Sequence, residues 1–431
     1  MPFHAIVGGQ RGDEGKGRFV DLIAADYTVV ARGNGGANAG HTVAPESIEP
    51  IALHQIPAGI VHSNILNVIG NGVFLDPIKI NDEISNLLLA GIEVNNKNLV
   101  ISSSAHLVMP HHLLLDLVRE SGNSAQGSTK SGIAFVAGDK YTREGLRLES
   151  VNNPEELLDK AFFLLNEVNN TLPNDLKRTE QSLRSEVNEW LDATKKLKIY
   201  MADTVEIINK RLSDGEYVLG EGAQAFWLDI NHGMYPYVTS SSTTVTGLLD
   251  GLGVSPKQVS KVSMVIKAIK SHVGGGPFLT EITDAEIAQK IRGQFGQTDS
   301  EYGATTKRPR RIGYLDLVEL RKAILLNGAD ELFLTKLDHV PRFGNRFKIA
   351  TEYELDGIKM KIAPSSAQSL GRCTPVYQEF ESWDEDISNI RSYGELPTNA
   401  KYFIDFIETE LQIPIKKIGV GPNRNSVILR D

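Results

Sequence analysis

Cysteine is almost absent from this sequence of 431 residues, in which Cys373 is the single example. One thiol excludes an internal disulfide and a cysteine-ligated zinc site. Long apolar runs are missing as well, since none reaches the roughly 18 residues that a membrane-spanning helix needs. The sequence also lacks an excess of positive charge, because 45 Lys and Arg stand against 54 Asp and Glu, for a net charge of −9. Bulk attraction to nucleic acid or to an anionic membrane is therefore not expected.

The N-terminus shows no signal-peptide pattern, because residues 3–7 read directly as an apolar first strand. We therefore expect a cytoplasmic enzyme with no nucleic-acid or membrane partner. Any anionic substrate must then be held by local groups of Lys, Arg and backbone N–H.

Short runs of β-branched and large apolar residues alternate with helical patterns along the chain. The strand-like runs are residues 3–7, 27–31, 64–69, 98–102, 217–219, 262–269 and 332–335, and the clearest helical patterns are 17–25, 78–90 and 315–326. This alternation predicts an α/β fold with a large, mainly parallel central sheet flanked by helices. We expect a single large domain over residues 1–431, with a mobile substrate loop at about 120–145 and a helical insertion at about 154–213.

The strongest local signal is the Gly-rich segment 8–17, GGQRGDEGKG, which follows the first strand and opens a helix. Its small residues let backbone N–H groups converge at a helix N-terminus, an arrangement that binds phosphate, and Lys16 adds a mobile cation. The P-loop pattern G-x-x-x-x-G-K-[ST] is not met, because Gln10 and Gly17 stand at its first and last positions. A P-loop kinase or GTPase is the alternative at this point.

Asp13 is unexpected inside a phosphate loop, since its carboxylate repels phosphate unless a metal ion or a proton transfer needs it. Magnesium prefers a carboxylate combined with phosphate oxygens, and a carboxylate can accept a proton from a substrate. The position therefore predicts a magnesium ligand or a general base.

Three further loops carry polar groups suited to ligands. Segment 34–42, NGGANAGHT, is rich in Gly and Asn, and its His41 could donate a proton to a departing phosphate oxygen. Segments 221–224, EGAQ, and 235–243, YPYVTSSST, offer amide and hydroxyl groups for a nucleobase edge or a phosphate. Taken alone, each of these loops is also compatible with a purely structural role.

Two segments of the C-terminal half add charged groups. Segment 303–311, GATTKRPRR, concentrates four cations in five residues, and Arg forks bind carboxylates bidentately; a solvated basic loop is the alternative. Segment 335–338, TKLD, ends a strand and resembles the guanine-reading N-K-x-D element of GTPases. An Asp there accepts hydrogen bonds from N1–H and the exocyclic NH₂ of guanine, a donor pair that adenine lacks.

Together these motifs resemble the adenylosuccinate synthetase family. The resemblance runs from Val7 to Arg424 and is carried by GDEGKG (12–17), NAGHT (38–42), YPYVTSS (235–241) and GATT (303–306). It implies a P-loop-like GTP-binding fold with helical and loop insertions, assembled as a homodimer. It also implies a ligase of AMP biosynthesis that joins L-aspartate to IMP with GTP and Mg²⁺. The reaction would pass through 6-phosphoryl-IMP and give adenylosuccinate, GDP and phosphate.

The resemblance also implies a role for individual residues. Asp13 would be the base for the N1 proton of IMP, His41 the acid on departing GDP, and Lys16 a stabiliser of the transferring phosphoryl group. Gln224 would hold the base of IMP, and magnesium would be bound by Asp13 and the Gly40 carbonyl. GTP would be bound by Gly12, Glu14, Gly15, Lys16, Gly17, Gly40, His41, Thr42, Lys336, Asp338, Gly421 and Pro422. IMP would be bound by Asp13, Asn38, Thr129, Gln224, Thr239 and Arg308, and by Arg143 of the other subunit. Aspartate would be bound by Thr305, Thr306, Arg308 and Arg310.

The sequence departs from the family pattern at Arg11, Ala37, Ser131, Lys307 and Pro309, where the family usually has Trp, His, Arg, Gly and Arg, and Lys130 also changes the loop that carries Thr129. These positions surround the acceptor nucleotide and the aspartate loop. Two alternatives stay open: a paralogue that uses another purine monophosphate or amino donor, and a GTPase or phosphotransferase without aspartate chemistry. We expect IMP to be used, with weaker apparent affinity than is typical of the family.

Overall fold

The computed structural model describes residues 2–43, 49–122, 125, 127–297, 299–303 and 307–430. The α-helices within these ranges are α1 (Lys16–Ile23), α2 (Pro77–Leu89), α3 (Pro110–Ser121), α4 (Ile133–Thr142), α5 (Pro154–Thr171), α6 (Glu180–Lys196), α7 (Thr204–Ser213), α8 (Val245–Leu252), α9 (Ala285–Arg292), α10 (Leu317–Asn327), α11 (Ala367–Gly371) and α12 (Thr398–Leu411). The strands are β1 (Phe3–Gly8), β2 (Val29–Arg32), β3 (His41–Val43), β4 (Ile51–Leu53), β5 (Leu66–Ile69), β6 (Phe74–Leu75), β7 (Leu99–Ser102), β8 (His106–Leu107), β9 (Met201–Ala202), β10 (Val218–Glu221), β11 (Val259–Lys267), β12 (Lys270–His272), β13 (Arg311–Gly313), β14 (Leu315–Asp316), β15 (Glu331–Thr335), β16 (Arg346–Leu355), β17 (Ile358–Met360), β18 (Thr374–Glu381), β19 (Ile415–Gly419) and β20 (Val427–Leu429).

The largest sheet in the described part of the chain has ten strands, in the order β20-β19-β15-β11-β1-β10-β2-β5-β7-β9. Neighbouring strands run parallel except for β19 and β20, which are antiparallel. Strand β1 lies near the middle, between β10 and β11. The loops after these strands leave the sheet at its carboxyl edge, where open parallel sheets bind ligands. The predicted large, mainly parallel sheet is confirmed.

The central strand places side chains in two hydrophobic layers. Phe3, Ala5 and Val7 pack into one core cluster, and Ile6 packs into the other. All residues of β1 are buried, as expected for a parallel strand that helices cover on both faces. The first strand therefore reads as a nearly continuous apolar run.

The starts of α1 and α2 differ in a way that matters for ligands. Asp76 caps α2 by accepting hydrogen bonds from the backbone N–H of Ile78 and Lys79. Helix α1 follows Gly15, whose φ is 87°, and no described side chain caps it. Its first-turn N–H groups therefore remain directed toward the Gly-rich loop, where a phosphate would find them.

The segment predicted as a helical insertion contains α5, α6 and α7, with strand β9 between the last two. Helix α5 packs on α3, and α6 packs on α2. Strand β9 pairs with β7 at the edge of the central sheet, so this segment also extends the sheet. Helix α4 lies within the predicted loop at 120–145, and the mobility of that region stays a prediction. None of the described helices is long and apolar enough to cross a membrane.

Candidate active site

A cavity of about 620 Å³ opens at the carboxyl edge of the sheet, beside the ends of β1, β10 and β15. Most of the predicted site residues line it, namely Gly12, Asp13, Glu14, Gly15, Lys16, Gly17, Asn38, Gly40, His41, Thr42, Thr129, Gln224, Thr239, Arg310, Lys336, Asp338, Gly421 and Pro422. Among the described residues, Arg143 and Arg308 are not part of this lining. Thr305 and Thr306 lie outside the described residues.

The two acidic residues of the phosphate loop are held differently. The Glu14 carboxylate is buried and accepts hydrogen bonds from the backbone N–H of Gln10 at 3.2 Å and of Gly12 at 2.8 Å. It also accepts one from Lys16 Nζ at 2.9 Å. Glu14 therefore braces the loop from inside and holds the Lys16 ammonium at the cavity wall, while Asp13 stays outside this network.

Asp13 is oriented by Arg310. The Arg310 Nη2 atom lies 2.9 Å from Asp13 Oδ2, and the Asp13 side chain remains 30% exposed. Arg310 is in turn held by the buried Glu301, whose Oε2 lies 2.7 Å from Arg310 Nη1. Although burial opposes the shift, Lys336, Arg310 and Lys267 hold the pKa of Glu301 well below its usual value. The charged and buried pair of Arg310 and Glu301 thus holds the Asp13 carboxylate at the cavity.

His41 lies at the start of β3 with its ring against Glu221 and Arg32. A carboxylate can only accept, so Nδ1 carries the proton and donates to Glu221, and Nε2 is the nitrogen left for a ligand. Burial and the Arg32 cation lower the pKa of His41 to about 4, although Glu221 acts in the opposite direction. The ring is therefore neutral near pH 7, and the negative charge of a nearby phosphate would raise its pKa.

Gln224, Asn38 and Thr239, which also line the cavity, form a chain of side-chain hydrogen bonds. Gln224 Nε2 donates to Asn38 Oδ1 at 3.1 Å, and Asn38 Nδ2 donates to Thr239 Oγ1 at 3.2 Å. The buried Oε1 of Gln224 has no hydrogen-bond partner within the described structure. This oxygen is an acceptor available to an N–H group of a nucleobase.

The segment predicted to read guanine follows β15. Lys336 Nζ donates to the Asp299 carbonyl at 2.9 Å and forms an ion pair with Glu301 Oε1 at 3.0 Å. Its charge is thus directed into the protein, which leaves its alkyl stem for the cavity. Asp338 is 18% exposed, and burial raises the pKa of its carboxyl group. Two donors from a guanine edge would compensate this carboxylate for its lost hydration.

Four non-glycine residues that line the cavity share an unusual backbone conformation, namely Lys307, with a φ of 55°, and three of the predicted site residues. Asp13, Gln224 and Lys336 have φ values of 57°, 53° and 59°, in the left-handed region. This region costs a residue with a side chain roughly 1–2 kcal/mol. Each of these side chains reaches the cavity from a sharp turn that glycine would form more easily.

Three basic residues that the sequence singled out, Arg308, Arg143 and Arg11, are placed differently, and Lys307 lines the cavity. Arg308 Nη2 donates to the carbonyls of Gly127 at 2.8 Å and Ser128 at 3.1 Å, which ties the basic loop to the segment before α4. Arg143 is exposed at the C-terminal end of α4. Arg11 is buried in an ion pair with Glu319, so its charge is satisfied inside the protein.

Comparisons with known proteins identify the family of this chain. The family model described as Adenylosuccinate synthetase matches residues 5–428. The chain belongs to the adenylosuccinate synthetase family. The adenylosuccinate synthetase of Caldicellulosiruptor bescii is 42% identical over 431 residues, which cover 99% of both chains. That of Thermodesulfovibrio yellowstonii is 42% identical over 427 residues, covering 99% of this chain and 98% of the relative. Membership places the chain among ligases, as the sequence predicted.

Two solved structures are similar to this chain. The fully ligated adenylosuccinate synthetase from Plasmodium falciparum matches with a TM-score of 0.90 and 35% identity, over 99% of both chains. The succinoaminodeoxyadenylate synthetase of cyanophage S-2L, bound to dGMP and dATP, matches with a TM-score of 0.58 and 18% identity, over 99% of this chain and 95% of that one. At this lower identity the second likeness extends to the fold alone.

Sequence reasoning missed the two buried carboxylates behind the site. Glu221 opens the EGAQ segment, and Glu301 stands two residues before the GATT segment, so both lie beside motifs that were recognised. Their partners His41 and Lys336 are distant along the chain, and nothing local indicates the pairing. A charged residue at the end of an apolar strand, such as Glu221 as the last residue of β10, is the one signal that was available.

Proposed function

We propose that this protein ligates L-aspartate to IMP with GTP, forming adenylosuccinate, GDP and phosphate through 6-phosphoryl-IMP. The observation that carries the proposal is the single cavity lined by Asp13, His41, Gln224, Arg310 and Asp338. A GTPase would need the guanine and phosphate groups of this set. It would have no use for Arg310, which pairs with the Asp13 carboxylate inside the phosphate loop.

In the first step, Asp13 removes the N1 proton of IMP, and the O6 oxygen attacks the γ-phosphorus of GTP. The new O6–P bond forms as the bond from the γ-phosphorus to the β–γ bridging oxygen breaks, and GDP leaves. Lys16, at the cavity wall, stabilises the transferring charge. His41 presents Nε2 to the departing oxygen once the phosphates have raised its pKa.

In the second step, the amino group of aspartate attacks C6 of the purine and displaces phosphate. Arg310 binds a carboxylate of aspartate through its guanidinium fork. Because Arg310 lies 2.9 Å from Asp13, aspartate bound there is next to the reacting edge of the base. Gln224 holds the base through its unpaired Oε1 and fixes its orientation.

The adenylosuccinate synthetase family implies magnesium, and two hard oxygen donors of the cavity fit that ion. The Asp13 carboxylate is partly exposed, and Gly40, whose carbonyl would be the second donor, lines the same cavity. Magnesium bound by one carboxylate and one carbonyl takes its remaining ligands from phosphates and water. Bound there, it would neutralise charge on the phosphoryl group.

We also infer a homodimer in which Arg143 serves the IMP site of the partner. Arg143 is exposed and lies outside the lining of its own chain's cavity, which supports this assignment. A cytoplasmic location stays a prediction.

An end-point assay tests the proposal. The protein is incubated with GTP, Mg²⁺ and L-aspartate together with IMP, GMP or dGMP, and products are identified by mass spectrometry. We expect an aspartate adduct with IMP and none with the Asp13→Asn variant. An adduct with another monophosphate alone would keep the reaction class and overturn the acceptor. Hydrolysis of GTP without any adduct would favour a GTPase.

A further inference from the structure

A buried carboxylate joins two parts of the cavity that bind different substrates under the proposed function. Glu301 is fully buried and is not among the described residues that line the cavity. Its Oε2 lies 2.7 Å from Arg310 Nη1, and its Oε1 lies 3.0 Å from Lys336 Nζ. Each carboxylate oxygen therefore holds one cation, one from the aspartate side and one from the guanine side.

We propose that Glu301 is a positioning residue. It links guanine recognition to the orientation of Asp13 and of Arg310, the residue that binds aspartate in the proposed function. The inference rests on the proposed function, since it assigns GTP and aspartate to the two sides. The link runs from the Lys336 turn through Glu301 to Arg310, and from Arg310 Nη2 to Asp13 at 2.9 Å. Every contact in this path is an ion pair between groups that are wholly or mostly buried.

The backbone strengthens the argument on the guanine side. Lys336 sits in the left-handed region with a φ of 59° and comes two residues before Asp338. Its ammonium is anchored by Glu301 and by the Asp299 carbonyl. A turn held by its side chain in this way keeps the next residues in place, so loss of the anchor displaces the guanine-reading carboxylate of Asp338.

The charges explain why a carboxylate is needed at this position. Glu301 is surrounded by Arg310, Lys336 and Lys267, and Lys267 is itself buried with its Nζ donating to the Gly12 carbonyl at 3.1 Å. An uncharged group of the same shape would leave these cations without their shared partner. An amide would also direct an NH₂ donor at either Arg310 or Lys336, so one of the two links would be lost.

The test compares Glu301→Gln with Glu301→Asp and with the control Glu281→Gln. Glu281 also pairs with an arginine, Arg311, but in a position that is about one-third exposed. For each variant, kcat, the KM for aspartate and the affinity for GDP and IDP are measured, the last two by calorimetry. IDP lacks the exocyclic NH₂ of guanine, so the ratio of GDP to IDP affinity reports Asp338 alone.

For Glu301→Gln we expect a fall in kcat of about 10²-fold, as displaced catalytic groups typically produce. We also expect GDP affinity to fall about tenfold while IDP affinity falls less. Glu301→Asp, which keeps the charge, should be intermediate, and the Glu281→Gln control should match the wild type. A lower kcat with an unchanged ratio of GDP to IDP affinity would overturn the link. A wild type that binds GDP but forms no adduct would refute the proposed function instead, because the calorimetric ratio does not depend on turnover.

A second variant keeps the test decisive if Glu301→Gln is too unstable to purify. Lys336→Met removes the other end of the link and lies on the guanine side. Lys336 contacts Arg310 through Glu301, so under the proposed link this variant should weaken aspartate binding as well as GDP binding. Unchanged aspartate affinity in Lys336→Met would also overturn the proposal.

Discussion

The two ends of the cavity hold their charges in different ways. At the phosphate-loop end, Glu14, Lys16, Glu301 and Arg310 are buried and already paired within the chain. At the acceptor end, Lys130 and Arg143 in the segment that follows Thr129 are exposed. Preorganised donors lower the cost of reorganisation during a reaction. The contrast indicates a GTP end built in advance and an acceptor end that is completed by nucleotide or by a second subunit.

The acceptor end is held by contacts of another kind. The buried Asp116 accepts hydrogen bonds from the Ser128 hydroxyl at 2.7 Å and from the backbone N–H of Gly132 at 2.9 Å. Glu120 accepts from the backbone N–H of Gly127 at 2.9 Å and of Ser128 at 3.0 Å. Hydrogen bonds to two carboxylates thus hold the segment that carries Thr129, whereas ion pairs between buried groups hold Asp13.

The largest effect is expected at the preorganised end, from Asp13→Asn. The change removes a general base and a metal ligand, each typically worth ~10²-fold or more in rate. The fold should persist, because the Asp13 side chain is partly exposed and its loss leaves Arg310 paired with Glu301. Turnover and the thermal midpoint are to be measured together. Near-normal turnover would exclude the proposed mechanism.

Asp338→Asn tests the same end with a smaller effect. An amide there presents a donor to one of the two guanine donors, and such unpaired groups cost roughly 1–3 kcal/mol each. The KM for GTP should therefore rise by about 5- to 150-fold, and preference for GTP over ITP should fall. Steady-state kinetics with both nucleotides provides the measurement. An unchanged KM for GTP would remove Asp338 from the guanine site.

Arg143 tests whether the open end is completed by a second subunit. Arg143→Leu and Asp13→Asn proteins, each inactive alone, are mixed under conditions where subunit exchange is confirmed. In a two-fold symmetric dimer, random exchange leaves about a quarter of the sites intact, so roughly that share of activity should return. The absence of any recovery would mean that Arg143 acts within its own subunit or has no role.

The smallest effect is expected from Asp116→Asn, which loosens the segment carrying Thr129. If this segment binds IMP equally in the ground and transition states, the KM for IMP should rise about threefold with little change in kcat. The control is Asp203→Asn, since Asp203 caps α7 away from the cavity. A large fall in kcat for Asp116→Asn would show that the acceptor end is as preorganised as the GTP end, and the contrast would fail.

The sequence predicted the buried middle of the fold better than its edges. Each strand-like run corresponds to a strand of the central sheet, whereas β9, β19 and β20 were missed. Strand β9 has two residues and β20 has three, while β19 carries two lysines. The two edge strands are too short, and β19 too charged, to show the apolar run that identifies a buried parallel strand. Helix α4 was missed as well, in a segment punctuated by glycine at positions 132 and 138.

The site was predictable where its chemistry is contiguous in the sequence. The phosphate loop and the guanine element each occupy a few neighbouring residues, and the residues predicted in both line the same cavity, while their binding roles stay predictions. Arg11 shows where prediction from the sequence ends. The sequence indicated that Arg11 alters the surroundings of the acceptor nucleotide. The structure pairs it with Glu319, 308 positions further along the chain, so it adds no unsatisfied cation to the cavity. Pairings of this kind depend on the fold and leave no local trace.

The left-handed turns at Asp13, Gln224 and Lys336 have a consequence for laboratory evolution. Glycine at any of these positions would relieve roughly 1–2 kcal/mol of backbone strain while deleting a side chain of the cavity. Selection for heat resistance alone would therefore enrich glycine there and yield robust but inactive proteins, a trade-off common at strained sites. Mutant libraries intended to raise the thermal stability of this enzyme should therefore leave these three codons unchanged.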